Sequence, residues 1–136
     1  MNDQKITCIY RVKNEARFIE QSIKSVVDLC SEIIILDDNS TDNTVEICSS
    51  FDKVSDIITP RGTGLDEVRD RNYLFETARR NNPDFILSVD GDEIFMPDAS
   101  EMLFEELFTI HPASDVFEFQ FLTLWDNVNT IRTDGI

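Results

Sequence analysis

Apolar residues recur along this chain in two patterns that alternate from one segment to the next. Short continuous apolar runs, such as residues 33–36, are typical of parallel strands that are covered on both faces. Between these runs, apolar residues recur at helical spacing, as Phe18, Ile19 and Ile23 do. The pattern predicts strands at residues 6–10, 31–36, 56–59, 85–89 and 116–125, and helices over 15–29, through 45–48, over 66–80 and from 97 onward.

The regular alternation of strands and helices indicates the fold class. A β-α-β-α-β-α-β-α-β order is typical of a mostly parallel sheet with helices on both faces, an α/β fold of three α/β/α layers. At 136 residues, the chain has the length of one domain with its own core. Asn14 is expected to cap the first helix. The third helix is expected to turn inward a face formed by Leu65, Val68, Leu74, Phe75 and Ala78, with Arg71 near its edge.

The composition restricts the class of partner. A formal net charge of −15 argues against nucleic acid and anionic membrane surfaces, because both require Lys and Arg to neutralise phosphate. No apolar run approaches the roughly 20 residues that span a bilayer, and the first residues lack a signal-peptide pattern. Cys8, Cys30 and Cys48 are widely spaced and odd in number, which favours buried thiols over disulfides or a zinc site. We therefore expect a reduced, cytoplasmic protein with no membrane segment in this chain.

Charged side chains follow each of the first four predicted strands. Because the carboxyl ends of parallel strands meet at one edge of a sheet, these side chains are expected to form one site. Carboxylates suit a divalent cation, and the guanidinium groups of Arg11 and Arg61 suit phosphate oxygens, so the mixture predicts a metal-bound phosphate ligand. The residues concerned are Arg11 and Lys13 after the first strand, Asp37 and Asp38 after the second, Arg61 after the third, and Asp90 and Asp92 after the fourth.

The segment Asp90-Gly91-Asp92 is the acidic part of this predicted site. In extended backbone, residues two apart point the same way and lie roughly 7 Å apart, so both carboxylates can reach one cation. A divalent cation would also remove the repulsion between the two carboxylates. Gly91 leaves room for a ligand to approach the backbone. Taken alone, the triplet also fits a solvated acidic turn.

Four segments together resemble one known family. They are residues 11–16 (Arg-Val-Lys-Asn-Glu-Ala), 34–42 (Ile-Ile-Leu-Asp-Asp-Asn-Ser-Thr-Asp), Arg71-Asn72 and 89–93 (Val-Asp-Gly-Asp-Glu). In order and spacing these segments are similar to those of the family 2 glycosyltransferases of GT-A fold, the nucleotide-diphospho-sugar transferase type. The resemblance extends from residue 5 to residue 95, and the combination of the second segment with the later Asp-x-Asp motif is its most specific part.

The resemblance implies an inverting transfer of a sugar from a nucleoside diphosphate sugar to an acceptor hydroxyl, assisted by Mn²⁺ or Mg²⁺. By the same analogy, Asp38 accepts a hydrogen bond from the nucleobase, and Asp90 contacts the ribose or the sugar. Asp92 holds the metal, and whether Asp90 is a second ligand is left open. Arg71 lies near the phosphates or the sugar of the donor. The acceptor, which could be a glycan, a lipid or a protein, is also left open.

The catalytic base is the point at which the chain departs from the family pattern. In the family, a carboxylate that takes the proton of the acceptor lies roughly a hundred residues after the Asp-x-Asp motif, which is beyond Ile136. Asp126 is the only late acid near a predicted strand end, and it is a weak candidate. We therefore expect residues 1–136 to form a single GT-A-like donor-binding domain without the C-terminal acceptor part. The alternative is a catalytically inactive nucleotide-sugar-binding domain.

Three other classes of protein share part of the pattern. A Mg²⁺-dependent phosphatase of the haloacid dehalogenase type also carries Asp-x-Asp after a strand, but after the first strand rather than the fourth. A sugar nucleotidyltransferase shares the fold and the metal, but its glycine-rich basic loop is missing after the first strand here. A receiver-like domain would use Asp37 and Asp38 as an acidic pocket. It requires a Lys at the end of the last strand, where this chain has Trp125 and Asp126.

Overall fold

The structure is a computed structural model that describes residues 4–105, 116 and 118. Strands and helices alternate there as predicted, and the last helix begins at Ala99 rather than at residue 97. The predicted strand over residues 116–125 lies almost entirely outside the described residues. The elements are β1 (Ile6–Val12), α1 (Ile19–Val26), β2 (Glu32–Asp37), α2 (Thr44–Ser49), β3 (Val54–Ile58), α3 (Glu67–Arg79), β4 (Phe85–Asp90) and α4 (Ala99–Glu105).

The four strands form one parallel sheet in the order β3-β2-β1-β4. The chain adds β2 and β3 on one side of β1 and then places β4 on the other side, so the direction of winding reverses between β1 and β4. In open α/β sheets, such a reversal leaves a crevice beyond the carboxyl ends of the strands, where ligands bind. Arg11 of β1 stands opposite Asp90 of β4 in the register, so charged residues of both strands lie side by side at this crevice.

Alternation of side chains along each strand distributes the core between two helical layers. On one face of the sheet, Cys8 and Tyr10 of β1 pack in a cluster with buried residues of α1, α2 and α4. On the other face, Ile9 packs with Leu74 and Ala78 of α3. The predicted α/β class, with a parallel sheet between helical layers, is confirmed.

The start of the first helix differs from the prediction. α1 begins at Ile19, and Asn14 does not cap it. Asn14 has a φ of 55°, and its side-chain oxygen accepts a hydrogen bond from the N–H of Thr41 at 2.7 Å. An N-cap residue needs extended dihedrals, whereas Asn tolerates the left-handed region, so this residue forms a turn between two loops instead. Phe18 therefore precedes the helix and is exposed against the guanidinium of Arg17.

The inward face of α3 is rotated relative to the prediction. Leu74 and Ala78 are buried as predicted, but Leu65, Val68 and Phe75 are 74%, 72% and 40% exposed. At about 100° per residue, Val68 and Phe75 lie roughly a third of a turn away from Leu74, and Leu65 precedes the helix. The residues that α3 buries are Asp70, Leu74, Thr77 and Ala78.

Two predictions from composition can be compared with the structure. Cys8, Cys30 and Cys48 are buried, free thiols, as predicted. Burial raises the pKa of the Cys48 thiol to about 12, and it raises the pKa of Cys8 well above its ordinary value. In the part of the chain that the structure describes, no helix has the length and apolar character needed to cross a membrane.

Candidate functional site

The carboxyl edge of the sheet collects most of the predicted site residues on one face. Because side chains alternate along a strand, Arg11 and Asp90 project toward the side on which α3 packs. Asp38, just past the end of β2, meets Arg11 on the same side. The N-terminal half of α3 lies over these residues and supplies Asp70, which faces Arg11, and Arg71, which faces Asp90. Three strands and one helix therefore converge on one charged site.

Asp38 is held by two cations through one of its two carboxylate oxygens. Oδ2 accepts hydrogen bonds from Arg11 Nη2 and from Lys13 Nζ, both at 3.3 Å. The backbone N–H of Asp38 donates to the carbonyl of Val12 at 2.9 Å, which fixes the residue to β1. Within residues 4–105, no group donates to Oδ1. This oxygen is therefore an oriented acceptor for a donor group on a ligand.

A buried carboxylate that the sequence analysis missed lies next to this pair. Asp70 is fully buried, and its Oδ2 accepts a hydrogen bond from Arg11 Nε at 3.1 Å. Its Oδ1 accepts from Nε and Nη2 of Arg69 at 3.0 and 2.9 Å. Arg69 in turn donates to the carbonyls of Thr63 and Gly64 at 3.3 and 3.1 Å. Two guanidinium groups thus pair with one buried carboxylate, which offsets the cost of burying it.

Arg71 and Asp90 form an ion pair at the end of β4. Arg71 Nη2 lies 3.0 Å from Asp90 Oδ1, and Arg71 Nη1 donates to Ser88 Oγ at 3.2 Å. The side chains of Arg71 and Asp90 are 38% and 47% exposed, so the pair adds little to stability and both groups stay accessible to a ligand.

The segment Asp-Gly-Asp-Glu forms a turn that Glu93 closes. The N–H of Asp90 donates to Glu93 Oε2 at 2.9 Å, and the N–H of Glu93 donates to the carbonyl of Asp90 at 3.0 Å. Two serines of α1 hold the same turn from the core side. Ser22 Oγ donates to the carbonyl of Asp90 at 3.5 Å, and the N–H of Phe95 donates to Ser25 Oγ at 3.1 Å. Glu93 therefore shapes the acidic turn from within it, and α1 fixes its position.

Asp92 projects from this turn into solvent, and in the described part of the chain its side chain has no hydrogen-bond or ion-pair partner. Glu15 packs on the turn so closely that a Cβ added to Gly91 would lie 2.8 Å from Glu15 Cγ. Burial raises the pKa of Glu15, and the charges of Asp92, Asp42 and Asp90 raise it further. The described residues contain no group of three Asp, Glu, His or Cys side chains that could hold a metal ion by themselves.

The polar segment after β2, residues 37–44, is bonded to the segment after β1. The side-chain oxygen of Asn14 accepts from the N–H of Thr41 at 2.7 Å, and the N–H of Glu15 donates to Thr44 Oγ1 at 2.8 Å. The Asn-Ser-Thr-Asp part of the sequence motif therefore fixes the two loops that flank the site.

Arg61 is not brought to the other predicted site residues. Its guanidinium lies over the ring of Tyr73, 3.8 Å from the centroid, and Nη1 pairs with Glu76 Oε2 at 3.3 Å. Its role in donor binding stays a prediction. Asp126 lies outside the described residues, so its role as the base also stays a prediction.

One signal in the sequence could have revealed Asp70. The residue lies four positions before Leu74 and eight before Ala78, on the face of α3 that the sheet buries. An acid on a buried face requires a partner. Arg11 and Arg69 could therefore have been sought as that partner, had the inward face been assigned correctly.

Comparison with known proteins identifies the family that shares this arrangement. The family described as Glycosyl transferase family 2 matches residues 7–121. An uncharacterised glycosyltransferase of Rickettsia bellii is 38% identical over 91 residues, which cover 66% of this chain and 28% of that protein. The family match covers all of the sheet except Ile6, and it confirms the resemblance on which the sequence analysis relied.

Solved structures of glycosyltransferases share the fold. The structure of S. aureus TarS 1-349 superposes with a TM-score of 0.60 at 21% identity, covering 75% of this chain and 32% of that one. Glucosyl-3-phosphoglycerate synthase from Mycobacterium tuberculosis, crystallised with Mn²⁺, uridine-diphosphate and glucosyl-3-phosphoglycerate, gives a TM-score of 0.55 at 20% identity. This second match covers 79% of this chain and 40% of that one. The chain thus covers between 28% and 40% of the length of these three proteins.

Proposed function

This chain belongs to glycosyl transferase family 2, and on that premise we propose that it is the donor-binding part of a metal-dependent, inverting glycosyltransferase. The reaction transfers a sugar from a nucleoside diphosphate to a hydroxyl of a glycan, lipid or protein acceptor. The observation that carries the proposal is the placement of Asp38 and Asp90 at the carboxyl ends of the two strands that flank β1, where the winding of the parallel sheet reverses, with Asp92 two residues further on. The fold neighbour from M. tuberculosis was crystallised with uridine-diphosphate and Mn²⁺, which supports a nucleoside diphosphate and a divalent metal as the ligands of this site.

Each group at the proposed site has a distinct task in donor binding. Asp38 accepts a hydrogen bond from a nucleobase N–H through Oδ1, the oxygen that no described residue uses. Asp90 contacts hydroxyl groups of the ribose or the sugar. Arg71, which already lies beside Asp90, donates to a phosphate oxygen of the donor.

The residues of the acidic turn fit a divalent cation. Mg²⁺ and similar ions are often bound by one or two carboxylates, with substrate phosphates and waters filling the remaining positions. Asp92 offers one exposed carboxylate, and Asp90 is available as a second ligand. Such a site needs the diphosphate of the donor to be complete, in agreement with the lack of a three-residue group among residues 4–105. When bound, the cation stabilises the negative charge of the leaving diphosphate.

We also propose that the protein acts in the cytoplasm. Its three cysteines are buried and unpaired. Free thiols are the rule in reducing compartments, whereas disulfides are common in secreted proteins. Cell fractionation with an antibody against the chain tests this proposal, and recovery from the periplasmic or secreted fraction would contradict it.

Isothermal titration with the diphosphates of uridine, guanosine and adenosine tests the donor site. Each nucleotide is titrated with Mn²⁺, with Mg²⁺ and without metal. At least one nucleotide should bind when a metal is present and bind much more weakly without it. Equal binding in the absence of metal would contradict the role of the acidic turn, and no binding under any condition would contradict the nucleotide-sugar site itself.

A further inference from the structure

A continuous series of ion pairs connects the proposed nucleobase site to the loop after β3. It runs from Asp38 through Arg11 to Asp70, and from Asp70 through Arg69 to the backbone of residues 63 and 64. Every link is 3.3 Å or shorter. Asp70 is the centre of this series and its most buried member. It touches no surface that a ligand could reach, so any influence on a ligand must pass through its two arginines.

We propose that Asp70 is a positioning residue for nucleobase recognition, a role that rests on the proposed function. Asp70 binds Arg11 through one carboxylate oxygen and Arg69 through the other. The first contact sets the orientation of Asp38. The second contact sets the shape of the loop over residues 61–64.

The first contact keeps one oxygen of Asp38 available to a ligand. A guanidinium group free of other partners tends to pair with a carboxylate bidentately, through two parallel N–H bonds. Arg11 does not do so here: its Nε is bonded to Asp70, and only Nη2 reaches Asp38. If Asp70 lost its charge, Arg11 would be free to turn its fork onto Asp38 and occupy Oδ1. The oxygen assigned to the nucleobase would then be blocked.

The second contact gives the loop after β3 its shape. β3 is the neighbour of β2 in the sheet, so this loop borders the side of Asp38. Gly62 and Gly64 have φ values of 117° and 77°, and a Cβ added to Gly62 would lie 3.1 Å from Arg69 Nη1. The loop is therefore folded directly around the side chain of Arg69. Because Asp70 is bonded to that side chain, it also helps to fix the shape of this loop.

The test is the nucleobase preference of the metal-loaded protein. Affinities for the diphosphates of uridine, guanosine and adenosine are measured with Mn²⁺ in the wild type and in Asp70→Asn. We expect Asp70→Asn to bind the preferred nucleotide about tenfold more weakly, the size of one lost hydrogen bond to a charged group. The two less favoured nucleotides should bind with nearly unchanged affinity, because the diphosphate contacts remain. The preference among the three should therefore nearly disappear.

A matched control separates positioning from general damage to α3. Thr77 lies on the same buried face of α3, and its hydroxyl donates only to the carbonyl of Tyr73 at 2.8 Å. Thr77→Val should lower the melting temperature and keep the wild-type preference. A second variant, Arg11→Lys, keeps the positive charge but lacks the rigid fork that binds Asp70 through Nε and Asp38 through Nη2. Arg11→Lys should lose the nucleobase preference as Asp70→Asn does. It replaces Asp70→Asn in the test if that variant does not fold.

A double-mutant cycle gives the sharpest result. If Asp70 acts through Asp38, Asp70→Asn should have no further effect on nucleobase preference in an Asp38→Asn background. The proposal is overturned if Asp70→Asn and Arg11→Lys keep the wild-type nucleobase preference, or if they lower the affinity for all three nucleotides by the same factor. Failure of the proposed function would look different, because the wild type itself would then bind none of the three nucleotides.

Discussion

The acids at the carboxyl edge of the sheet differ in how they are compensated. Asp38 and Asp70 are paired with arginines, and Asp90 is paired with Arg71. Asp92, in contrast, has no cationic partner in the described part of the chain and lies close to other carboxylates. A lone exposed carboxylate among like charges gains most from a cation, and in its absence contributes only repulsion.

The substitution Asp92→Asn should separate ligand binding from stability. We expect it to abolish the metal dependence of nucleotide binding, because the amide lacks the charge that holds the cation. In the absence of metal, its melting temperature should stay within about 2 °C of the wild type or rise, since the substitution removes a surface repulsion of at most a few tenths of a kcal/mol. Titration calorimetry and thermal denaturation without metal measure the two effects.

The control for this substitution is Asp52→Asn. Asp52 is an exposed acid in the turn before β3, at the opposite edge of the sheet. It carries the same change of charge and should leave metal-dependent binding intact. A fall of many degrees in the metal-free melting temperature of Asp92→Asn alone would show that Asp92 supports the fold rather than a cation.

The site residues that could be predicted from the sequence are those that can be recognised within one short segment. Asp38, Asp90 and Asp92 follow strands in short polar segments, so their place at the carboxyl edge could be predicted. Asp70 could not be found in this way, because its burial and its contact with Arg11, 59 residues away in the chain, depend on how α3 packs on the sheet. The role of Glu15 was missed for the same reason, since it depends on packing against Gly91.

At the scale of elements, the turn after β4 needs glycine at position 91 because of close packing and not because of a left-handed backbone. Gly91 does not have a positive φ, but an added Cβ would lie 2.8 Å from Glu15 Cγ and 3.2 Å from Val12 Cγ1. Gly64 shows the opposite case, because it has a φ of 77° and open space around the position of a Cβ. The two glycines therefore allow a steric cost and a conformational cost to be measured in one protein.

Gly91→Ala should destabilise the fold by about 1–3 kcal/mol through overpacking, and it should weaken metal-dependent nucleotide binding by displacing the acidic turn. Gly64→Ala should cost roughly 1–2 kcal/mol through its left-handed backbone. Urea denaturation measures both values. In a Glu15→Ala background, the cost of Gly91→Ala should fall, whereas the cost of Gly64→Ala should not change. Equal costs of Gly91→Ala in both backgrounds would show that Glu15 does not support the turn.

Element order could be predicted because strands and helices each have their own period, whereas boundaries and faces depended on tertiary contacts. The sequence predicts Asn14 as the cap of the first helix, but the hydrogen bond from Thr41 holds this residue in a turn. On α3, the predicted inward face included Val68 and Phe75, which are exposed. Hydrophobicity alone could not place this face, because its N-terminal end is a buried charged residue, Asp70.

For the molecule as a whole, residues can be proposed for the binding of the donor, but not for the binding of the acceptor. The residues assigned to the donor lie between positions 11 and 92, within the part that the structure describes. The chain covers 28% of its relative from R. bellii and 40% of the M. tuberculosis synthase. A full reaction also requires an acceptor site and a base, and for the base the sequence offers only a weak candidate, Asp126.

We therefore expect the 136-residue chain to bind a nucleoside diphosphate sugar but to transfer little or no sugar. A base held against the acceptor hydroxyl is typically worth about 10²–10⁴ in rate, and an unpositioned acceptor loses the further advantage of orientation. Slow hydrolysis of the donor should persist, because water needs no acceptor site. The measurement pairs a radiolabelled-sugar assay against pooled glycan, lipid and protein acceptors with an assay for released nucleotide.

The prediction is tested by comparing sugar transfer with nucleotide release. Nucleotide release that depends on metal and is lost in Asp92→Asn, without sugar transfer, agrees with a donor-binding part that lacks the acceptor side. Robust transfer would contradict the prediction. If Asp126→Asn then abolished sugar transfer and left nucleotide binding intact, Asp126 would be the base. A residue needed only for donor binding or for the fold would instead lower sugar transfer and nucleotide binding together.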